Sequence, residues 1–411
     1  MHSSTSSSEM RVADSVAHPE RMTSAERLTA ADRPGIAQPV PERPVPAQPW
    51  GRILTVVAIV VTAAMAVWEW RMRALGLEAG DIRDNPSFWA EQRRRIDSEN
   101  VPVAIVGDSR ILFDTSLDRF DALTGIRPLQ LALAGTNARP FLEELSRDPN
   151  FKGLAIVGIS EGSFFRMDGG LYANALDRYH FESPSQRSSF IIFRWLSRVF
   201  AFMDGEYRLS VLLRRLDHGV RPHAANNPYE EPWKVSYNGE DRDSSLWQRL
   251  ETDPYLLAHA RAFWARGYGS PPVSDEVIQT TLRLTREAVD RIRARGGDVV
   301  FVRPPSTGPY RMAENRKVPR ARVWDALLAA ANAEGLHADD NSVESALFLP
   351  EFSHLTRACA KVYTDAYVRR LASITPRVKL RADAPPPLTP EDCRPSAAAL
   401  QVQQLLRERG W

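Results

Sequence analysis

Three side chains in this sequence could together perform nucleophilic acyl chemistry: Ser109, His354 and Glu351. Ser109 lies in Gly107-Asp108-Ser109-Arg110, directly after the apolar run Val101-Pro102-Val103-Ala104-Ile105-Val106. That run has the length and β-branched content of a buried strand. Gly107 ends it, and Asp118, Phe120 and Leu123 begin a helical pattern beyond it. A serine on a strand-to-loop turn projects its hydroxyl from the carboxyl end of a sheet, where ligands of open α/β folds collect. The backbone N–H groups around such a turn can stabilise an oxyanion. A serine alone is a poor nucleophile and needs a nearby base. Pro350-Glu351-Phe352-Ser353-His354-Leu355 supplies one, with a carboxylate three residues before the histidine and a helical stretch, Thr356 to Leu371, after it.

Taken in this order, the two segments resemble the SGNH/GDSL hydrolase superfamily, over roughly Asn100 to Leu371 with a long insertion in the middle. The resemblance implies that Ser109 is the nucleophile, His354 the base and Glu351 the orienting acid, at a position where the family usually has Asp. Gly135, in Leu133-Ala134-Gly135-Thr136-Asn137, matches the glycine that lends an N–H to the oxyanion hole beside that of Ser109. Gly158-Ile159-Ser160-Glu161 stands where the family usually has Gly-x-Asn-Asp. Ser160 thus replaces the asparagine that completes the hole, and either Ser160 or Asn137 could substitute for it. Asp108 is expected to tie the turn through backbone hydrogen bonds. Asp339 and Asp340 are a second source of the triad acid. Arg110, after the nucleophile, and Arg303, which opens Arg303-Pro304-Pro305-Ser306, are candidate substrate contacts, each equally suited to a structural ion pair.

With water as acceptor such a site is an esterase or deacetylase; with a sugar hydroxyl it is an O-acetyltransferase. Membrane-anchored proteins of this family modify cell-envelope polysaccharides, often beside a multi-span acyltransferase partner. The resemblance therefore implies acyl esters, chiefly acetyl esters, of an envelope glycan as substrate. The lost asparagine keeps a second class open: an inactive domain that binds glycan or scaffolds a membrane acyltransferase. No cofactor or metal is expected, because His180, His218, His223, His259, His337 and His354 form no H-x-x-x-H or H-E-x-x-H pair. The formal net charge is +2, with no block of like charges, so nucleic-acid binding has no electrostatic footprint.

A parallel sheet must hold these residues. Strands expected at Val101–Val106, Leu129–Leu133, Leu154–Ile159 and Asp298–Val302 alternate with helices expected at Pro140–Ser146, Asp275–Arg295, Arg320–Ala333 and Thr356–Leu371. This predicts an α/β fold, an SGNH-like parallel sheet flanked by helices, over residues 73–374. Residues 168–272 interrupt the alternation with an aromatic-rich helical insertion carrying Trp195, Trp233, Trp247 and Trp264, suited to a lid or glycan-binding wall. Phe190 to Met203 reads as a helix packed over the core with Arg194 and Arg198 in solvent, in preference to an amphipathic helix on a membrane surface.

Residues 1–50, rich in Ser, Ala, Pro and Arg, are expected to be disordered. Residues 51–72 follow as an N-terminal transmembrane helix. Ile53 to Trp68 carries no charge, and Trp50, Trp68 and Trp70 bracket it as interfacial anchors, so the membrane is an expected partner through residues 53–70. No A-x-A site follows, which argues against a cleaved signal peptide. Arg43 and Arg52 on one side balance Arg71, Arg73 and Arg83 on the other. Analogy with anchored SGNH proteins then puts the N-terminus in the cytoplasm and the catalytic domain outside. Cys359 and Cys393 could pair, but Cys359 lies on a predicted helix and is expected to pack as a small apolar residue. Residues 375–411 read as a Pro-rich linker and a short helix, Ala397 to Arg409, that either docks back on the domain or stays free.

Overall fold

The computed structural model describes residues 48–167, 172–217 and 234–410. The N-terminal segment expected to be disordered, up to residue 47, lies outside the described residues, as do His218, His223 and Trp233. The chain divides into two compact units, Met1–Thr62 and Ala63–Trp411.

The division falls within a continuous helix, Trp50–Ala74, of 25 residues. At about 1.5 Å per residue it is roughly 37 Å long, more than the ~30 Å of a bilayer's hydrocarbon core. Its apolar window is unburied and is long and apolar enough to cross a membrane. In the first unit Leu54, Val56, Ile59 and Val60 are all exposed. In the second unit the helix ends by packing Trp68 and Met72 into a small core with Ala201, Tyr207 and Leu250.

The second unit is built on strands β1 (Val103–Val106), β2 (Leu129–Gln130), β3 (Leu154–Gly158), β4 (Ser236–Asn238), β5 (Ser244–Leu246), β6 (Asp298–Arg303) and β7 (Gly335–His337). Five form a parallel sheet in the order β2-β1-β3-β6-β7. The central strands are apolar along most of their length because both faces are covered. Val103 and Ile105 point into one core with the helix Arg357–Ile374; Ala104 and Val106 point into the other, with Trp89, Phe141 and Trp324. Leu154 and Ile156 alternate with Ala155 and Val157 in the same way.

The order reverses at β1, whose neighbours β2 and β3 follow it by connections to opposite sides. That is the switch point at which the loops part and leave a crevice. The helix Asp275–Ala294 starts on Ser274, whose hydroxyl accepts from Val277 N, and the chain reverses at Gly296, where φ is +84°.

Several elements differ from expectation. Strand β7 has no long apolar run to announce it. Only two residues of the expected 129–133 strand pair regularly, although Leu131 N and Leu133 N still donate to Ile105 and Gly107. The insertion is not wholly helical, since β4 and β5 form an antiparallel hairpin. Its helix Pro184–Ser197 begins on a Ser183 capping box and is not buried over the core. Arg194 pairs with Glu91, whereas Ile191, Ile192 and Trp195 face outward. Cys359 and Cys393 form a disulfide, with Cα atoms 5.0 Å apart, because the Pro-rich segment folds back along the helix Arg357–Ile374. The last helix, Ala397–Glu408, docks: Val402 and Leu406 pack on Leu257.

Candidate active site

Ser109 follows β1 as the first residue of the short helix Ser109–Asp114. Asp108 caps that helix, accepting from Arg110 N at 3.1 Å, and its second oxygen accepts from Ser163 Oγ at 2.7 Å. A side chain at Gly107 or Gly158 would collide with Ile111, so these two glycines let the helix sit close over β1 and β3. Asp108 is thus a structural tie between the two loops, as expected.

The loop from Glu351 to His354 leads into the helix Arg357–Ile374. Ser109 Oγ lies 2.8 Å from His354 Nε2, and His354 Nδ1 lies 2.9 Å from Glu351 Oε1. The same Glu351 oxygen accepts the backbone N–H of His354 at 2.5 Å. Phe352, between them, has φ +75°, a conformation unfavourable for a bulky side chain. Its ring is held under the Arg261 guanidinium at 4.3 Å. Arg261 Nη2 and Gln403 Nε2 both donate to the Pro350 carbonyl, at 2.7 and 3.1 Å, so the C-terminal helix braces the carboxylate's loop.

His354 is buried, with the rings of Phe113 and Trp264 at 4.9 and 5.6 Å. Burial disfavours the charged imidazolium, but Glu351 and then Asp114 outweigh it and raise the His354 pKa above its ordinary value. Asp114 is a carboxyl that sequence reasoning missed. It is fully buried and accepts Leu355 N at 2.9 Å, so the last residue of the Ser109 helix holds the residue after His354. Burial pushes Asp114 up to about 8, against the pull of His354 and the Leu355 N–H. Trp264 was also missed as a site residue. Its indole N–H donates to Glu351 Oε2.

A cleft of about 390 Å³ opens on Ser109 and His354. Gly135, Leu133 and Phe113 line it from the sheet side, and Phe263, Trp264 and Lys234 from the insertion. Gly135 has φ +73° and open space beside its Cα, so its backbone reaches the cleft in a turn that favours glycine. Among the described residues, neither the Ser109 nor the Gly135 N–H is hydrogen-bonded. Lys234 is buried between Asp81 and Asp204, at 2.6 Å from each.

The remaining expected residues separate. Ser160 follows β3, is buried, and its hydroxyl has no partner among the described residues. Asn137 is committed elsewhere. Its carbonyl caps the helix Ala138–Arg147 through Arg139 N at 2.8 Å, and its amide donates to the Arg166 carbonyl at 2.8 Å. Arg110 and Arg303 are buried ion-pair partners and do not line the cleft, which corrects their reading as substrate contacts. Glu314 lies between them, 2.6 Å from Arg110 and 2.9 Å from Arg303, and Glu161 adds a second partner for Arg303 at 3.1 Å. Burial opposes the Glu314 charge, but the two guanidinium groups hold its pKa well below the usual range. Arg110 also donates to Ser353 Oγ at 3.3 Å, so it braces the loop that carries His354. Asp339 and Asp340 pair with Arg311 and Arg320, not with His354.

No protein-family model matches this chain, and no curated protein matches it significantly.

Proposed function

We propose that this chain is a membrane-anchored serine esterase or O-acyltransferase of the SGNH/GDSL kind, acting on acyl esters of a cell-envelope glycan. The observation that carries the reading is the continuous relay Ser109–His354–Glu351, with steps of 2.8 and 2.9 Å, at the mouth of a cleft. In this mechanism His354 Nε2 takes the Ser109 proton as the oxygen attacks an ester carbonyl. Glu351 keeps the proton on Nδ1 and stabilises the imidazolium that forms. The N–H groups of Ser109 and Gly135 receive the oxyanion, and the Ser160 hydroxyl, unpartnered among the described residues, would serve as the third donor. His354 then protonates the leaving alkoxide, and water or a sugar hydroxyl releases the acyl group from Ser109.

The apolar helix Trp50–Ala74 supports a single-pass anchor, through which a multi-span acyltransferase could be a neighbour. The disulfide supports an extracytoplasmic domain, because such bonds persist in oxidising compartments. The aromatic side chains Phe263 and Trp264 beside the nucleophile suit the apolar faces of sugars. A fluorophosphonate probe tests the chemistry, since it labels only an activated serine. The wild type should label at Ser109, and Ser109→Ala should not. A folded wild type that labels no faster than Ser109→Ala would replace the enzyme with a glycan-binding or scaffold domain.

A further inference from the structure

The helix Pro184–Ser197 turns its apolar side to the outside. Ile191, Ile192, Trp195 and, just beyond, Val199 share one face and are between 48% and 61% exposed. Leu209 and Leu213, at i, i+4 spacing on the helix Leu209–Asp217, are exposed in the same way. Amphipathic helices of soluble domains bury such faces, and a contiguous apolar patch rimmed by polar residues marks an interaction site.

The position of this face indicates what covers it. The Glu69 carboxylate, near the end of the helix Trp50–Ala74, accepts the N–H groups of Ala201 and Phe202 at 3.0 and 3.1 Å. Arg73 Nη2 donates to the Val199 carbonyl at 3.3 Å. Trp68, Met72 and Leu75 pack with Ala201, Tyr207 and Leu212. The exposed face is therefore fastened to the last turns of the apolar helix, whose own Val67 and Trp70 are also exposed. A surface fixed to the end of a membrane-crossing helix meets the interfacial zone of the same bilayer, where tryptophan and the stems of arginine side chains are at home. Arg187, one turn before Ile191, is exposed and available to headgroup phosphates.

We propose that Ile191, Ile192, Trp195, Val199, Leu209 and Leu213 form a collar that seats the domain on the lipid surface, its apolar side chains entering the boundary between headgroups and acyl chains. The collar rests on the reading of Trp50–Ala74 as an anchor. It has a consequence for the cleft. Asp204, Gly205 and Glu206 follow the fastened segment and line the cavity of Ser109, so seating fixes the height of the cleft above the bilayer.

The test uses the full chain in vesicles of phosphatidylethanolamine and phosphatidylglycerol. Both native cysteines are paired, so Ile192→Cys can carry a single environment-sensitive dye, with Arg286→Cys on the exposed side of the helix Asp275–Ala294 as the comparison. The dye at position 192 should emit to the blue of that at 286, be quenched by lipids spin-labelled near the headgroup, and be several-fold less accessible to iodide. Flotation with the vesicles reports the anchor separately. A chain that does not float overturns the anchor and the collar together. A chain that floats with position 192 as open to iodide as position 286 overturns the collar alone, which is also the result if the face belongs to a protein partner absent from the vesicles.

Discussion

Trp264 donates its indole N–H to Glu351, so the insertion, and not the sheet, completes the hydrogen bonding of the carboxylate that holds His354. Glu351 Oε2 faces this donor, while Oε1 faces two more, the backbone N–H and the ring Nδ1 of His354. Both oxygens must therefore accept. A carboxylate does this at both ends, and an amide cannot.

Glu351→Gln should consequently cost more than the loss of a charge. If the new NH2 faces His354, it forces the wrong imidazole tautomer and Nε2 can no longer take the Ser109 proton. If it faces Trp264, two donors collide. The expected fall in kcat on an aryl acetate is on the order of 10⁴, with no rescue from Asp339 or Asp340, which pair with Arg311 and Arg320. Trp264→Phe removes one donor and gives the substituted amide somewhere to turn. Glu351→Gln should then cost clearly less in the Trp264→Phe background than in the wild type; equal costs in both backgrounds would sink this account.

The asymmetry between what was legible and what was not has a physical basis. Ser109 and His354 each sit in a local pattern: a buried strand ending in Gly-Asp-Ser, and E-x-x-H ahead of a capped helix. The apolar runs of β1, β3 and β6 are equally local. Trp264, Asp114 and Gln403 are not, because their roles arise where the insertion, the helix Ser109–Asp114 and the last helix meet, and no spacing along the chain records that. Arg110 and Arg303 stay open between substrate contact and ion pair in the sequence because the arrival of Glu314 between them is a tertiary event. Nor does the 34-residue separation of Cys359 and Cys393 show that the prolines between them turn the chain back. Strand β7, three residues long and ending in His337, carries too little apolar sequence to stand out.

Asp114 makes stability depend on pH in an unusual direction. Its folded pKa, raised by burial to about 8, lies above the ordinary carboxyl value of about 3.9, so the folded state holds a proton that the unfolded state has lost. Its contribution is full below about pH 4 and declines as pH rises to about 8. Asp114→Asn keeps an acceptor for Leu355 N and cannot ionise. The variant and the wild type should melt at similar temperatures near pH 4–5, and the variant should melt higher at pH 8–9. A constant difference across this range in a thermal melt series would remove the titration of Asp114 from the explanation.

The Cys359–Cys393 bridge closes a loop that contains the Pro-rich segment and returns it to the helix Arg357–Ile374. For a loop of this size the chain-entropy estimate is about 4 kcal/mol. Cys393→Ala, with Cys359→Ala to avoid a stray thiol, should lower the unfolding free energy by roughly 2–4 kcal/mol and leave fluorophosphonate labelling of the folded protein unchanged. The site is held through Arg261, Gln403 and Arg110, not through the bridge. Loss of labelling with the fold intact would mean that the bridge also positions the base.

Ser160 and Asn137 separate by what each side chain already does. Asn137 spends its carbonyl on a helix start and its amide on the Arg166 carbonyl, so Asn137→Ala should cost about 1 kcal/mol of stability and little of kcat per folded molecule. Ser160 is buried after β3 with a hydroxyl that satisfies no described group. A buried donor left unpaired is unfavourable in the resting protein, a cost that an oxyanion would remove if Ser160 is the third donor. Ser160→Ala should therefore leave the melting temperature unchanged or slightly higher. As the third oxyanion donor Ser160 would act on the tetrahedral state and not on the bound ester, so its loss should lower kcat on the order of 10²-fold with little change in KM. The paired measurement of kcat and melting temperature decides between the two residues. If Asn137→Ala loses rate without losing stability, and Ser160→Ala does neither, the third oxyanion donor is Asn137, and the amide must leave Arg166 when substrate binds.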